Sequence, residues 1–148
     1  MQKITVAALV LSSTALAAAA QQLKPEDEIK LRKSAYALVG YNFSSLAAMA
    51  QEKKPYNKEE AIRNAEFVAL LSTVPKTFFA PGTDRGETKA KPDIWANRAD
   101  FDKKMERMMA ETAKLPPVAR TGDLAALKKQ VSETGSACKA CHDDYRSK

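Results

Sequence analysis

Leu124, Leu127, Val131, Thr134, Cys138, Cys141 and Tyr145 follow one another in alternating steps of three and four. That spacing keeps all seven on one face of an α-helix, whereas a strand, repeating every two residues, would scatter them over both faces of a sheet. A helix with one such stripe must bury it against other helices. Three earlier segments repeat the pattern. Ile29, Tyr36, Val39, Phe43, Leu46 and Ala50 share a face behind Pro25, a residue suited to a first helical position, with Glu26, Asp27 and Glu28 near the positive end of the dipole. The spacing predicts a first helix from Pro25 to about Met49. A second apolar line on it, Leu31, Ala35 and Leu38, is available for a subunit contact.

Asn57, three residues before Glu60, reads as the cap of a second helix with its reciprocal partner. That helix carries Ile62, Ala65, Ala69 and Ser72, flanked by Phe67, Leu70, Leu71 and Val74, and Pro75 is expected to stop it. Phe101, Met105, Met108, Thr112 and Leu115 mark a third, ended by Pro116-Pro117, and the fourth begins at Thr121-Gly122-Asp123. Residues 76–93, with Phe78, Phe79, Pro81, Gly82, Gly86 and Pro92, form a loop longer than a bundle connection requires, and such loops usually cover something. Five Gly and seven Pro are too few for the many tight turns of a barrel or sandwich. The expectation is an all-α fold, an antiparallel up-down-up-down four-helix bundle.

The first twenty residues differ in kind. Lys3 precedes an uncharged apolar and small-residue run from Ile4 to Ala18, and Ala18-Ala19-Ala20 offers a small-x-small cleavage site. Residues 1–20 are expected to be a signal peptide and 21–148 the functional domain. The run is Ala-rich and shorter than the ~20 strongly apolar residues of a membrane span, so no membrane association is expected after cleavage and the product belongs in a periplasm. The formal net charge is +6, but the basic residues are dispersed among acids with no basic cluster interleaved with aromatics. Nucleic acid is therefore not an expected partner, while a modest positive field suits an acidic protein partner.

The chain's two cysteines and its one histidine lie together, in Cys138-Lys139-Ala140-Cys141-His142. This is the spacing by which c-type haem is attached. On a helix, positions i, i+3 and i+4 share a face, so two thiols can add to the two vinyl groups of one porphyrin while the imidazole reaches its iron. Three other readings compete. A disulfide or dithiol oxidoreductase is permitted in an oxidising compartment, yet that chemistry usually sits at a helix N-terminus, and this pair is near a C-terminus. Zinc would find three ligands at most. The third is coincidence. If haem is bound, His142 is the metal ligand, and no second imidazole exists in the chain. The alternative sixth ligand is a methionine, with Met49, Met105, Met108 and Met109 as candidates, which would give a low-spin electron carrier. The favoured alternative leaves the sixth position vacant or weakly guarded.

Several segments resemble the cytochrome c′ family, the class II c-type cytochromes of bacterial periplasms. They are Lys24-Pro25-Glu26-Asp27, Phe79-Ala80-Pro81-Gly82-Thr83, Pro92-Asp93-Ile94-Trp95, Gly122-Asp123-Leu124 and the run from Gly135 to Arg146 that contains the Cys-x-x-Cys-His motif. The resemblance spans essentially all of 21–148. It implies one covalently bound haem c per chain, five-coordinate and high-spin, with its distal face blocked by a side chain of the first helix. That position falls on Tyr36, which also lies on the helix's core face; the family often has an aliphatic residue or Phe there, so the hydroxyl is a departure. An unperturbed phenol, with a pKa of about 10, is not expected to ligate as tyrosinate.

The resemblance makes Arg32 a haem-propionate contact, with Lys33 adjoining, and places Arg146 over the proximal pocket. It puts Glu87 near the haem edge, in a loop slightly longer than is usual in the family. The function implied is non-enzymatic: one-electron exchange with a redox partner protein, binding of nitric oxide and carbon monoxide, and homodimerisation through the first two helices.

Overall fold

A computed structural model describes residues 23–148; the expected signal peptide and its cleavage site lie outside them. In chain order the elements are α1 (Pro25–Ala50), α2 (Lys58–Leu71), a 3-10 turn (Val74–Phe78), α3 (Asp93–Ala96), α4 (Arg98–Ala113), α5 (Leu115–Thr121) and α6 (Leu124–Tyr145). The four long helices α1, α2, α4 and α6 make an antiparallel four-helix bundle, in which α1 packs on α2 and α6, and α4 on α6 and α2. Among the described residues no helix is long and apolar enough to cross a membrane.

Local chemistry sets most boundaries. Pro25 occupies the first turn of α1. The Asn57 side chain caps α2 by accepting the Glu60 N–H at 2.8 Å. Glu60 does not return the bond, contrary to expectation: its carboxylate is taken by the Ser45 hydroxyl at 2.9 Å and by the Lys54 ammonium, while the Asn57 N–H meets the Met49 sulfur. A cation and a hydroxyl outcompete a backbone amide for that charge. Asp123 caps α6, accepting from the Ala125 and Ala126 N–H groups at 2.8 and 3.1 Å. Gly122, just before it, has φ +77°, the left-handed conformation that ends α5.

The prolines act differently from expectation. α2 ends at Leu71, and Pro75 sits inside the following 3-10 turn. α4 ends at Ala113, and Pro116-Pro117 stand in the first turn of α5, where a helix has no intrahelical acceptor for the N–H groups proline lacks. Leu115 thus leaves the α4 stripe and becomes a fully buried residue of α5.

Two buried clusters divide the bundle. One, built around Leu46, Met49, Val68, Leu115, Leu127 and Val131, fills the end where α1 meets α2 and α5 meets α6. The other contains Phe79, Ile94, Phe101, Met105, Met108, Cys141 and Tyr145, with Tyr36 and Cys138 packed against it. Phe101 stacks edge-on against Phe79 and Tyr145, with centroids 4.8 and 5.4 Å apart. The second apolar line of α1 splits: Ala35 is buried, while Leu31 and Leu38 stay exposed.

Candidate functional site

The second cluster surrounds a cavity of ~770 Å³, walled by α1, α4, α6 and residues 86–90 of the long loop. Its size is that of a pocket for a large organic ligand. On α1 its wall is made by Arg32, Tyr36, Ala37, Val39, Gly40 and Phe43, and a Cβ added at Gly40 would meet open space.

Cys138, Cys141 and His142 reach this cavity from the last two turns of α6. Both cysteines are free. Burial raises both thiols above their ordinary range, Cys141 to about 11, so neither is a thiolate at neutral pH. Partial burial, then the charge of Arg146, holds His142 below the usual imidazole value, leaving a ring nitrogen free to ligate. From α1, Tyr36 lines the same cavity and donates its hydroxyl to the Met105 sulfur at 3.4 Å. Burial, reinforced by the nearby cysteines, pushes the Tyr36 phenol well above its ordinary value, which argues against tyrosinate.

Arg32 also lines the cavity but is 2 % exposed, and its guanidinium is already engaged. Nη1 donates to the Phe78 carbonyl (3.0 Å) and the Thr83 hydroxyl (2.8 Å), and Nη2 to the Thr83 carbonyl and the Thr88 hydroxyl (both 2.6 Å). The guanidinium carbon also lies 4.7 Å from the centroid of the Phe79 ring. Arg32 therefore ties the long loop to α1 through both of its terminal nitrogens. Nothing in the amino-acid spacing pointed to Thr83 and Thr88 as its partners.

Lys33 and Glu87 come together at the exposed rim. The Lys33 ammonium donates to the Glu87 carbonyl at 2.9 Å and stands 3.9 Å from its carboxylate. Arg146 lines the cavity mouth just beyond α6. Its backbone forms an isolated antiparallel bridge with Ala90, supported by Lys91 N–H to the Tyr145 carbonyl and Ser147 N–H to the Lys89 carbonyl. The loop is thus fastened to α1 by Arg32 and to the end of α6 by backbone pairing. The expectation that it covers something is met, because it roofs the cavity.

Of the four methionines weighed as ligands, Met49 belongs to the opposite cluster, where its sulfur faces the Asn57 N–H. Met105 and Met108 line the cavity, and Met109 packs partly buried against its cluster. Tyr145, also on the wall, donates to the Asp100 carboxylate at 2.7 Å. Its place on the α6 stripe was visible in the sequence; its partner was not.

Two neutral thiols one turn apart, an adjacent unprotonated imidazole, an apolar cavity and cations at its mouth fit a porphyrin with two vinyl groups and two propionates. The comparisons with known proteins agree. The Cytochrome C′ family model matches residues 27–146. Cytochrome c′ of Rubrivivax gelatinosus is 44% identical over 126 residues, covering 84% of this chain and 98% of the relative. Its crystal structure superposes with a TM-score of 0.82 at 43% identity, covering 86% of this chain and all of that one. Cytochrome c prime from Shewanella frigidimarina gives 0.83 at 37% identity, covering 86% and 99%. A nitric oxide complex of a cytochrome c prime variant from Alcaligenes xylosoxidans gives 0.80 at 36%, also covering 86% and 99%. With this cavity, this attachment motif and these relatives, the chain belongs to the cytochrome c′ family of haem c proteins.

Proposed function

We propose that Cys138 and Cys141 hold one haem c covalently, each thiol adding its S–H across a vinyl group, and that His142 is the axial ligand of the iron. Bound there, haem supplies one-electron redox chemistry and affinity for nitric oxide and carbon monoxide. Tyr36 covers the opposite face as a neutral phenol, leaving the iron five-coordinate and high-spin. The observation that carries this reading is that one cavity receives both cysteines, the chain's single histidine and Tyr36, with no second imidazole to complete a six-coordinate pair. Raised thiol pKa values weigh against a dithiol oxidoreductase, which works through thiolate. The protein acts as an electron carrier and gas-binding protein rather than an enzyme, and the relative solved with nitric oxide supports the gas-binding half.

The rest of each residue's work is positional. Arg32 keeps the roof of the cavity in place; Lys33, Glu87 and Arg146 stand at its mouth, where the propionates and a redox partner protein would meet the solvent edge. Leu31, Leu38 and Tyr41 of α1 and Phe67, Leu70 and Val74 of the following segment are exposed apolar side chains, an arrangement that suits a homodimer through α1 and α2. Export to the periplasm after removal of residues 1–20 would supply the compartment in which c-type haem proteins of this family work.

The optical spectrum of purified holoprotein tests the reading. A high-spin ferric spectrum that becomes five-coordinate ferrous with dithionite and shifts with nitric oxide is expected. A thioether-to-iron charge-transfer band would replace it with a Met-ligated carrier, and absence of a Soret band would remove haem altogether.

A further inference from the structure

Tyr36 is a hydrogen-bond donor inside an apolar cavity, and such a group matters according to where its proton points. A free hydroxyl facing a bound diatomic would donate to it; a hydroxyl satisfied elsewhere would not. Arg32, one turn before it on α1, has only donors to offer, and both terminal nitrogens are spent on the loop. The acceptor Tyr36 meets is the thioether of Met105, 3.4 Å from its oxygen and contributed by α4 across the cavity. Met105 is 1 % exposed, fixed in the buried stripe with Phe101, Met108 and Thr112, so the acceptor is held by packing. Phe, Leu or Ile at position 105 would fill the stripe equally well but accept nothing.

We propose that Met105 is a positioning residue for gas binding: its sulfur draws the Tyr36 hydroxyl toward α4 and so keeps that proton away from a diatomic ligand in the cavity. The role rests on the reading of Tyr36 as the side chain covering the second haem face. It makes the pocket behave as if the distal residue were apolar, despite the hydroxyl. A ligand that gains from a hydrogen-bond donor is then disfavoured relative to one that binds without it.

The test uses dithionite-reduced holoprotein with carbon monoxide as probe, because a donated hydrogen bond lowers the C–O stretching frequency and slows ligand release. Met105→Leu conserves volume, so packing changes little. The expected result is a C–O stretch at lower frequency in Met105→Leu and carbon monoxide release slower by up to about tenfold, equivalent to ~1.4 kcal/mol and within the worth of one hydrogen bond. Tyr36→Phe alone leaves the stretch where it is in the wild type, and Tyr36→Phe/Met105→Leu returns it there. An unmoved stretch in Met105→Leu, or a shift that survives in the double variant, overturns the proposal. Should Met105→Leu fail to fold, Tyr36→Phe still decides: a shift in that variant alone means the hydroxyl already reaches the ligand. These outcomes leave the haem reading standing when the ferric spectrum is five-coordinate; a six-coordinate ferric spectrum sinks that reading first.

Discussion

The two ends of the bundle bury their stripes in opposite ways. Where α1 meets α2 and α5 meets α6, aliphatic side chains such as Leu46, Val68, Leu115 and Leu127 close on one another and are fully buried. At the other end Phe79, Phe101, Met105 and Tyr145 stand around a cavity of ~770 Å³ instead of filling it. One end is complete as polypeptide. The other is a mould whose walls are aromatic and sulfur-bearing, roofed by a loop that is fastened at both its edges, and it reaches full packing only when a large apolar ligand occupies it. On α1, Leu46 and Met49 belong to the closed end, while Val39, with Val68 of α2, belongs to the same cluster and also lines the cavity, so the two valines mark the boundary between the ends.

Removing the ligand should break that contrast most. The variant Cys138→Ser/Cys141→Ser is expected to carry no covalent haem, so that its mass equals the polypeptide alone. Hydrogen exchange should then show protection lost in residues 79–91 and 101–108 while 46–68 and 115–131 retain it; uniform loss would mean the closed end has no independent stability.

A cavity made in the closed end should have a purely mechanical cost. Leu127→Ala is expected to destabilise by about 2–5 kcal/mol in urea unfolding while the haem spectrum stays unchanged. A spectral change would show that the two ends are coupled more tightly than their separate clusters imply.

The loop fastening should rank third. Arg32→Met keeps the apolar stem but removes the donor from the Phe78 and Thr83 carbonyls and one bond from each of the Thr83 and Thr88 hydroxyls, at a cost of about 3 kcal/mol, with faster proteolytic cleavage between residues 79 and 91. If cleavage is no faster, the backbone bridge between Ala90 and Arg146 suffices to hold the roof.

The smallest effect sharpens the account of the closed end. The Tyr56 hydroxyl is buried there and finds no partner among the described residues. Tyr56→Phe should therefore raise stability by up to ~1 kcal/mol, visible as a higher urea midpoint; a lower midpoint would mean the hydroxyl is satisfied after all.

Much of this was legible in the chain because it is local. A stripe such as Leu124 to Tyr145 follows from helix geometry alone, and the Asp123 and Asn57 caps act over two or three residues. Cys138, Cys141 and His142 are neighbours in sequence, so one turn of helix brings them together. The misread features involve choices that local sequence leaves open. A proline ends one helix or opens the next with equal chemical licence, and Pro116-Pro117 took the second course. Glu60 had the spacing of a reciprocal cap, but Ser45 and Lys54 were closer to its charge. Other contacts lay beyond local reading altogether: the loop partners of Arg32, Thr83 and Thr88, are 51 and 56 residues away.

The sequence by itself determined the helices, their buried faces and the thiol-imidazole cluster, since each depends on interactions within a few turns of one chain segment. Only the tertiary structure decided that the guanidinium of Arg32 fastens a loop, that the Tyr36 hydroxyl turns to Met105, and that one end of the bundle stays hollow. Those outcomes depend on which side chains distant segments bring within three or four ångströms of each other. Hydrogen bonds and dispersion contacts act at that range alone, and no spacing along a single helix encodes it.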